Sequence, residues 1–311
     1  MTSQTSTASY IPLLRRGVSE AFKGTSLRER WLKARMFAAG IRHREALTRI
    51  RNAPQDSALR MALDARAQML GLLIWPYQCA SWDTDKRLER FQAHYAEIDR
   101  IGAPLKFGLD EKLVLANLDA QYPGLRVVLY QPLWLMREGG LTISLFNEDT
   151  LIFALTFSLY SDADGDRCAL IGGCQGRNVD GILDVYRDLT KALHGLRPRD
   201  FLMECFGILC RIIDVRHAYA VSDRERHRRH PFFNQTGDFP QDYDIPWQER
   251  GGVLEPNGLY KFPQDPVRKT LDEIKPKKRS LYRKRFAFLD ELEPRIAEEF
   301  PTLKPIKFKD L

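Results

Sequence analysis

The spacing of apolar residues changes twice along this chain and divides it into three regions. From about residue 26 to 101 the period is helical. Ser26-Leu27-Arg28-Glu29 has the form of a capping box, and Leu27, Trp31, Ala34 and Phe37 follow at one-face spacing. A second helix is predicted near Asp56–Leu73. A third, near Asp85–Arg100, carries Leu88, Phe91, Tyr95 and Ile98 on one side. Trp75-Pro76 separates these two, because the residue before a proline is pushed out of the α region.

From about residue 125 the period shortens. Leu125–Met136, Leu141–Phe146 and Leu151–Tyr160 are rich in β-branched and aromatic residues, with Gly139-Gly140 and Asn147-Glu148-Asp149 as reversals between them. They predict an antiparallel meander that Arg167–Gly172 continues. Helices are expected over Ile182–Leu193 and Pro198–Ile213, and a short strand over His217–Val221. From about residue 266 a basic helix carries Leu281, Phe286, Leu289 and Leu292 as an apolar stripe. The fold class expected is α+β: a helical N-terminal region (1–105), a mixed, mainly antiparallel sheet with flanking helices (106–265), and a basic C-terminal helix and tail (266–311). No repeat at solenoid periods is present.

Composition narrows the class. The chain has 311 residues, 44% of them hydrophobic, enough for a sizeable core, yet no window reaches the roughly 18 consecutive apolar residues of a membrane span. Met1–Tyr10 is Ser/Thr-rich and lacks the basic and apolar regions of a secretory signal, so a cytoplasmic place is expected. The five cysteines form no CxxC pair, which points to small buried hydrophobes in a reducing compartment. Net charge is +7, and Arg268–Arg285 alone holds nine Lys/Arg against Asp272 and Glu273, a local net of +7. A basic segment facing one partner fits that distribution better than a globally basic nucleic-acid binder.

The chemistry concentrates between Cys168 and Asp223. In Ile171-Gly172-Gly173-Cys174-Gln175-Gly176-Arg177 three glycines follow an apolar strand, and backbone N–H groups there could converge on an anion. The alternative is a bulge or a glycine-kinked strand end. The motif is neither a Walker loop nor a dinucleotide fingerprint. Lys191, His194, Arg197 and Arg199 gather where two helices join, and Pro198 suits the first turn of the second, so Arg197 and Arg199 flank a helix N-terminus that favours phosphate. The same arginines could instead pair with Asp188, Asp200 or Glu204. His194 is a candidate base or a helix cap. Arg137-Glu138 ends a predicted strand and either projects into a cleft, with Glu138 as a base, or forms the turn. Ser222-Asp223 closes the strand His217–Val221, where substrate-binding residues often sit in α/β sheets. His227 and His230 have no acidic or Cys partner at metal spacing, so no metal site is expected. No Ser-His-Asp, Gly-x-Ser-x-Gly or HExxH pattern appears.

Four motifs in one order, Arg137-Glu138-Gly139-Gly140-Leu141-Thr142, Ile171 to Arg177, Leu189 to Arg199, and Ile274-Lys275-Pro276-Lys277-Lys278-Arg279, resemble those of the bacterial VirK/YbjX family over about residues 65 to 295. The resemblance implies a Gram-negative bacterial protein associated with envelope remodelling, virulence and resistance to antimicrobial peptides. It assigns no active site. At the level of fold, a meander whose fourth strand leads to an anion-binding helix N-terminus and then a fifth strand is similar to the N-acetyltransferase (GNAT) arrangement. There the pyrophosphate of acyl-CoA sits at that helix, and relatives use aminoacyl-tRNA. Two features depart from it: an extra helix intervenes, and the usual Gly-x-Gly/Ala crossing is absent.

Two functions are therefore carried forward. One is an acyl- or aminoacyl-transferase with no resident cofactor. Gln175, Gly176, Arg177, Lys191, Arg197 and Arg199 would hold acyl-CoA or aminoacyl-tRNA as co-substrate, Arg137, Ser222 and Asp223 would bind a small-molecule or peptide acceptor, and Glu138 or His194 would act as base. The other is a non-catalytic binding protein at the cytoplasmic face of the inner membrane, with residues 268–285 against anionic lipid or tRNA.

Overall fold

The computed structural model of the protein describes residues 9–233, 242–264 and 268–307. Helices open the chain: α1 (Ile11–Ala21), α2 (Leu27–Arg42), α3 (Arg44–Arg51) and α4 (Ala58–Ala65), then a 3-10 stretch over Ala67–Leu73, and α5 (Thr84–Ile101). The short helix α1 precedes the region predicted as helical. Ser26 caps α2, accepting from Glu29 N at 3.2 Å, but the Glu29 carboxylate turns to Gly24 N (3.0 Å) and leaves the box open. The buried face of α2 is Leu32, Met36 and Gly40, whereas Leu27 and Trp31 of the predicted stripe are 84% and 58% exposed. This helix bears two apolar stripes, and α1 decides which is covered, since its Leu14 packs on Gly40. The helix predicted over Asp56–Leu73 breaks at Arg66. Its guanidinium donates to the carbonyls of Gln131 (2.6 Å) and Leu109 (2.7 Å).

The meander is β1 (Glu111–Asn117), β2 (Leu125–Tyr130), β3 (Leu141–Asn147), β4 (Thr150–Ser161) and β5 (Arg167–Gly176), each antiparallel to the next. Strand β2 stops short of its predicted end at Met136 because Pro132 has no N–H for the ladder. Residues 131–140 then form a long connection to β3, so Gly139-Gly140 makes no two-residue hairpin. Of the two readings of Ile171–Arg177 the strand-end one holds: β5 remains paired to β4 as far as Gly176. Helices α6 (Ile182–Ala192) and α7 (Pro198–Ile212) lead to β6 (His217–Val221), which runs parallel to β5. Beyond α8 (Asp244–Glu249), strands β7 (Val253–Leu254) and β8 (Leu259–Lys261) extend that side. After α9 (Arg279–Glu299), β9 (Ile306–Lys307) closes the opposite edge. Among the described residues the order is β7-β8-β6-β5-β4-β3-β2-β1-β9, a mixed, mainly antiparallel sheet in an α+β fold.

Alternation along β4 shows how the layers stack, because successive side chains point to opposite faces. Phe157 meets Phe206 of α7 edge-on (5.1 Å between ring centroids), and Phe201 of α7 stacks on Phe288 of α9 (5.8 Å). Ser158 faces the other way and bonds the Tyr77 hydroxyl (2.8 Å), whose ring packs on Phe91 of α5. The N-terminal helices thus cover one face, and α7 with α9 covers the other. Glu97 clamps α5 to the sheet. It is 2% exposed and accepts from Arg167 Nε (2.8 Å), Arg100 Nη1 (3.1 Å) and Ser161 Oγ (2.6 Å). Removing one partner of a buried ion pair leaves the other desolvated and uncompensated. Glu97→Ala is expected to destabilise the fold by about 3 kcal/mol in chemical denaturation, and Glu97→Gln by less, since it keeps the Ser161 bond.

Candidate functional site

The site forms where two parallel strands part. The β5–β6 pairing runs from Cys168↔His217 to Ile171↔Ala220 and stops, while β5 continues to Gly176 on β4 alone. At that point β5 carries a bulge: Thr156 pairs with Gly173 and Phe157 with Ile171, leaving Gly172 extra. The connection 131–140 lies across it. A Cβ at Gly172 would overlap the Glu138 carbonyl, and one at Gly173 would overlap the Glu138 carboxylate. The two glycines are thus the absence of side chain that lets Glu138 seat against the sheet. Gln78 completes the wedge, donating from its backbone to Arg137 O (2.7 Å) and from Nε2 to Leu170 O (3.0 Å).

Glu138 is 6% exposed and receives Gln175 Nε2 at 3.2 and 3.1 Å on its two oxygens. Burial raises its carboxyl to about 7. The charges of Arg228 and Arg226 and the Gln175 bond oppose that shift without cancelling it. Tyr243 borders the carboxylate; its buried hydroxyl accepts from Cys174 N (3.0 Å), and Arg226 lies over its ring (3.9 Å). Burial, with Arg228, Arg137 and Arg226, lowers His227 to about 3, so its imidazole is neutral. Burial also pushes the Cys174 thiol up to about 12, which leaves no thiolate nucleophile there at neutral pH.

A cleft of about 840 Å³ opens in front of Glu138, lined among others by Gln175, Arg177, Tyr243, Arg228 and the N-terminal turn of α6. A second cleft, about 740 Å³, adjoins it and shares Phe153, Tyr186, Arg187 and Tyr243. Of the residues singled out in the sequence, the first cleft brings together Glu138, Gln175, Gly176 and Arg177; the second holds Lys191, Arg197 and Arg199. Arg199 is paired to Asp200 (3.3 Å) and Glu249 (3.4 Å), and Lys191 to Asp188 (3.0 Å). Arg197 is exposed and makes no ion pair among the described residues. Arg137 stacks on the Trp75 ring (4.5 Å) instead of lining a cleft. Ser222 is buried at the end of β6, and Asp223 holds Arg226 and Arg229. His194 adopts φ 52° at the end of α6; its carbonyl accepts from Arg285 (3.1 Å) and its ring rests on Phe288 (5.8 Å), outside both clefts.

Sequence reasoning missed Tyr243, Arg226 and Arg228. In the run Arg224–His230 it is Arg226 and Arg228 whose charges act on the carboxylate, while Arg224 pairs with Glu225 and Arg229 with Asp223; Tyr243 has no local signal. Asp162, Asp166 and His217 bring ligand atoms within 4.8 Å of one another beside the β4–β5 turn. The turn itself accounts for Asp162, whose Oδ1 accepts from Asp164 N (3.0 Å) and Asp166 N (2.9 Å).

Residues 25–298 match the family described as "Protein of unknown function (DUF535)". The chain is similar to "Uncharacterized protein YbjX" of Escherichia coli (strain K12), 30% identical over 231 residues, which is 72% of this chain and 70% of that protein. Two Haemophilus influenzae relatives, each named "Uncharacterized protein", are 32% identical over 177 residues and 31% over 161. Those stretches are 56% and 50% of this chain, and they span about half of each relative, 56% and 51%. No solved structure matches the chain.

The raised Glu138 carboxyl makes stability depend on pH. A folded-state value near 7 against 4.5 for a free carboxyl means that stability is full below pH 4.5 and falls as pH rises through 7. Glu138→Gln removes that loss. The variant should match the parent near pH 4.5 and exceed it at pH 8 by on the order of 2–3 kcal/mol, read from denaturant midpoints at both pH values.

Proposed function

The chain belongs to the DUF535 family, the YbjX/VirK family that its motifs resemble, and we propose that it is an acyl- or aminoacyl-transferase that forms an amide from a phosphorylated donor. One observation carries the reading: a buried carboxyl raised to about 7 faces a cleft whose rim carries Arg177, Arg187 and Arg228. A base poised near neutral pH beside anion-binding groups suits deprotonation of an amine next to a phosphorylated donor.

In this reading the donor phosphates lie against Arg177 and Arg228 at the N-terminal turn of α6, with Arg197 reaching the adjoining cleft. Glu138, held by Gln175, takes a proton from the acceptor amine. The nitrogen attacks the donor carbonyl, a C–N bond forms, and the C–S bond of a thioester or the C–O bond of an aminoacyl ester breaks. The departing sulfur or oxygen receives the proton. His194, packed on α9, is assigned no part, and Ser222, Asp223 and Arg137 support the walls. The GNAT-like reading of the fold rests on the antiparallel meander, the parallel β5–β6 step and their parting beside a helix N-terminus. The phosphate place shifts from α7 to α6. The implied setting in envelope remodelling, virulence and resistance to antimicrobial peptides belongs to this proposal.

Calorimetry with acyl-CoA and with charged tRNA tests it. One donor should bind, about tenfold more weakly to Arg177→Ala, while Glu138→Gln should keep binding and lose about a hundredfold or more in transfer. No binding of either donor, or no effect of Arg177→Ala, contradicts it.

A second reading is a non-catalytic protein that binds an anionic membrane or tRNA through residues 268–285. Its support is that Lys269, Lys275, Lys277, Lys278, Arg283 and Lys284 are exposed and form no ion pair among the described residues. It predicts salt-sensitive association lost when Lys277, Lys278 and Arg279 are neutralised together, measured by vesicle pelleting and tRNA gel shift.

A further inference from the structure

Helix α2 is apolar on two opposite faces. Leu32, Met36 and Gly40 are buried against the molecule. Leu27, Trp31, Ala34, Ala38 and Ile41 recur every three or four residues on the other side and are exposed along its whole length. The three large ones are 84%, 58% and 48% exposed. From Leu27 to Ile41 the stripe is about 21 Å long at 1.5 Å per residue. A surface helix ordinarily places polar residues there.

Cations line both seams of that stripe. Arg28, Arg35 and Arg42 lie along one side and Arg30 along the other; all four are exposed, and none forms an ion pair among the described residues. Arg35 rests over the Trp31 ring (5.3 Å). The helix has a single acidic residue, Glu29, which is turned to Gly24. The surrounding helices add to the charge: residues 11–51 hold eleven Lys/Arg against Glu20, Glu29 and Glu45, a local net of +8. The near-zero sum outside residues 268–285 therefore conceals a second basic region.

We infer that this outer face of α2 docks on the surface of an anionic phospholipid bilayer. The helix lies parallel to the surface, with Leu27, Trp31 and Ile41 at the boundary of headgroups and acyl chains and the flanking arginines on lipid phosphates. Charge decides against a second copy of the chain, because facing α2 helices would set these arginines against one another. Nucleic acid would meet the arginines but leave an apolar stripe facing a phosphate backbone. No helix among the described residues is long and apolar enough to cross a membrane, so the contact is peripheral.

The full chain should be pelleted with vesicles of phosphatidylcholine alone and of phosphatidylcholine with phosphatidylglycerol. Binding to the anionic vesicles is expected at least about tenfold above the neutral ones, weakening as salt is raised. The pair Leu27→Ser with Trp31→Ser, and separately the four arginines changed to glutamine, should each lower partition about tenfold. Because these side chains are exposed, circular dichroism and thermal midpoints should stay unchanged, which separates lost docking from lost folding. Lys277→Gln with Lys278→Gln should leave vesicle binding intact. Absence of binding to anionic vesicles overturns the inference. So does binding lost only through the Lys277 and Lys278 changes, or a Trp31-dependent dimer in sedimentation without vesicle association.

Discussion

Everything at the candidate site depends on one contact: the Glu138 side chain and carbonyl seated where Gly172 and Gly173 of β5 have no side chains. A carboxyl can be desolvated against a sheet only if the strand beneath leaves room for it. The bulge at Gly172 supplies that room and ends the β5–β6 pairing at the same step. One local irregularity therefore creates the opening of the sheet, buries the acid at its base and turns the mouth toward α6. Gln78 and the 131–140 connection pack behind, and Gln78 and Glu138 are both buried.

Electrostatics follow from that packing. Burial of Glu138 favours its neutral form, while Arg226 and Arg228 favour the charged one, and the balance falls near neutral pH. Neighbouring groups are left without competing chemistry: His227 is held neutral and the Cys174 thiol is held protonated. Basic residues gather in three places, around the cleft, on the 268–285 segment and on the N-terminal helices.

The sequence made much of this legible, with limits that have physical causes. Helix α5, strands β2 to β5, α6, α7 and β6 follow from spacing and turn residues, whereas β1 is not predicted. The stripe on α2 gives the helix but not its buried side, because periodicity reports that a face is apolar, not whether a neighbour covers it; α1 against Gly40 settles that. The break at Arg66 reflects a side chain bonding carbonyls 43 and 65 positions away, which no local pattern encodes. Of the two readings the Gly172-Gly173 pair allows, an anion loop or a bulged strand end, the structure has the bulge; that glycine admits another segment's carboxylate is a tertiary fact. Glu138, Gln175, Gly176 and Arg177 were legible as one cluster, whereas Tyr243 and Arg226 reach it from distant parts of the chain. For Arg197 and Arg199 the sequence leaves the phosphate site and the acidic partners both open; Arg199 is held by Asp200 and Glu249, while Arg197 makes no ion pair among the described residues.

The central claim is that Glu138 is a neutral-pH base by virtue of its place on the glycine bulge. Side-chain carboxyl carbon shifts of the glutamates, followed by NMR from acid to alkaline pH and assigned by difference with Glu138→Gln, measure it directly. The account predicts one glutamate resonance titrating near 7, absent in the variant. A Glu138 resonance titrating at the ordinary value near 4.5 would contradict it.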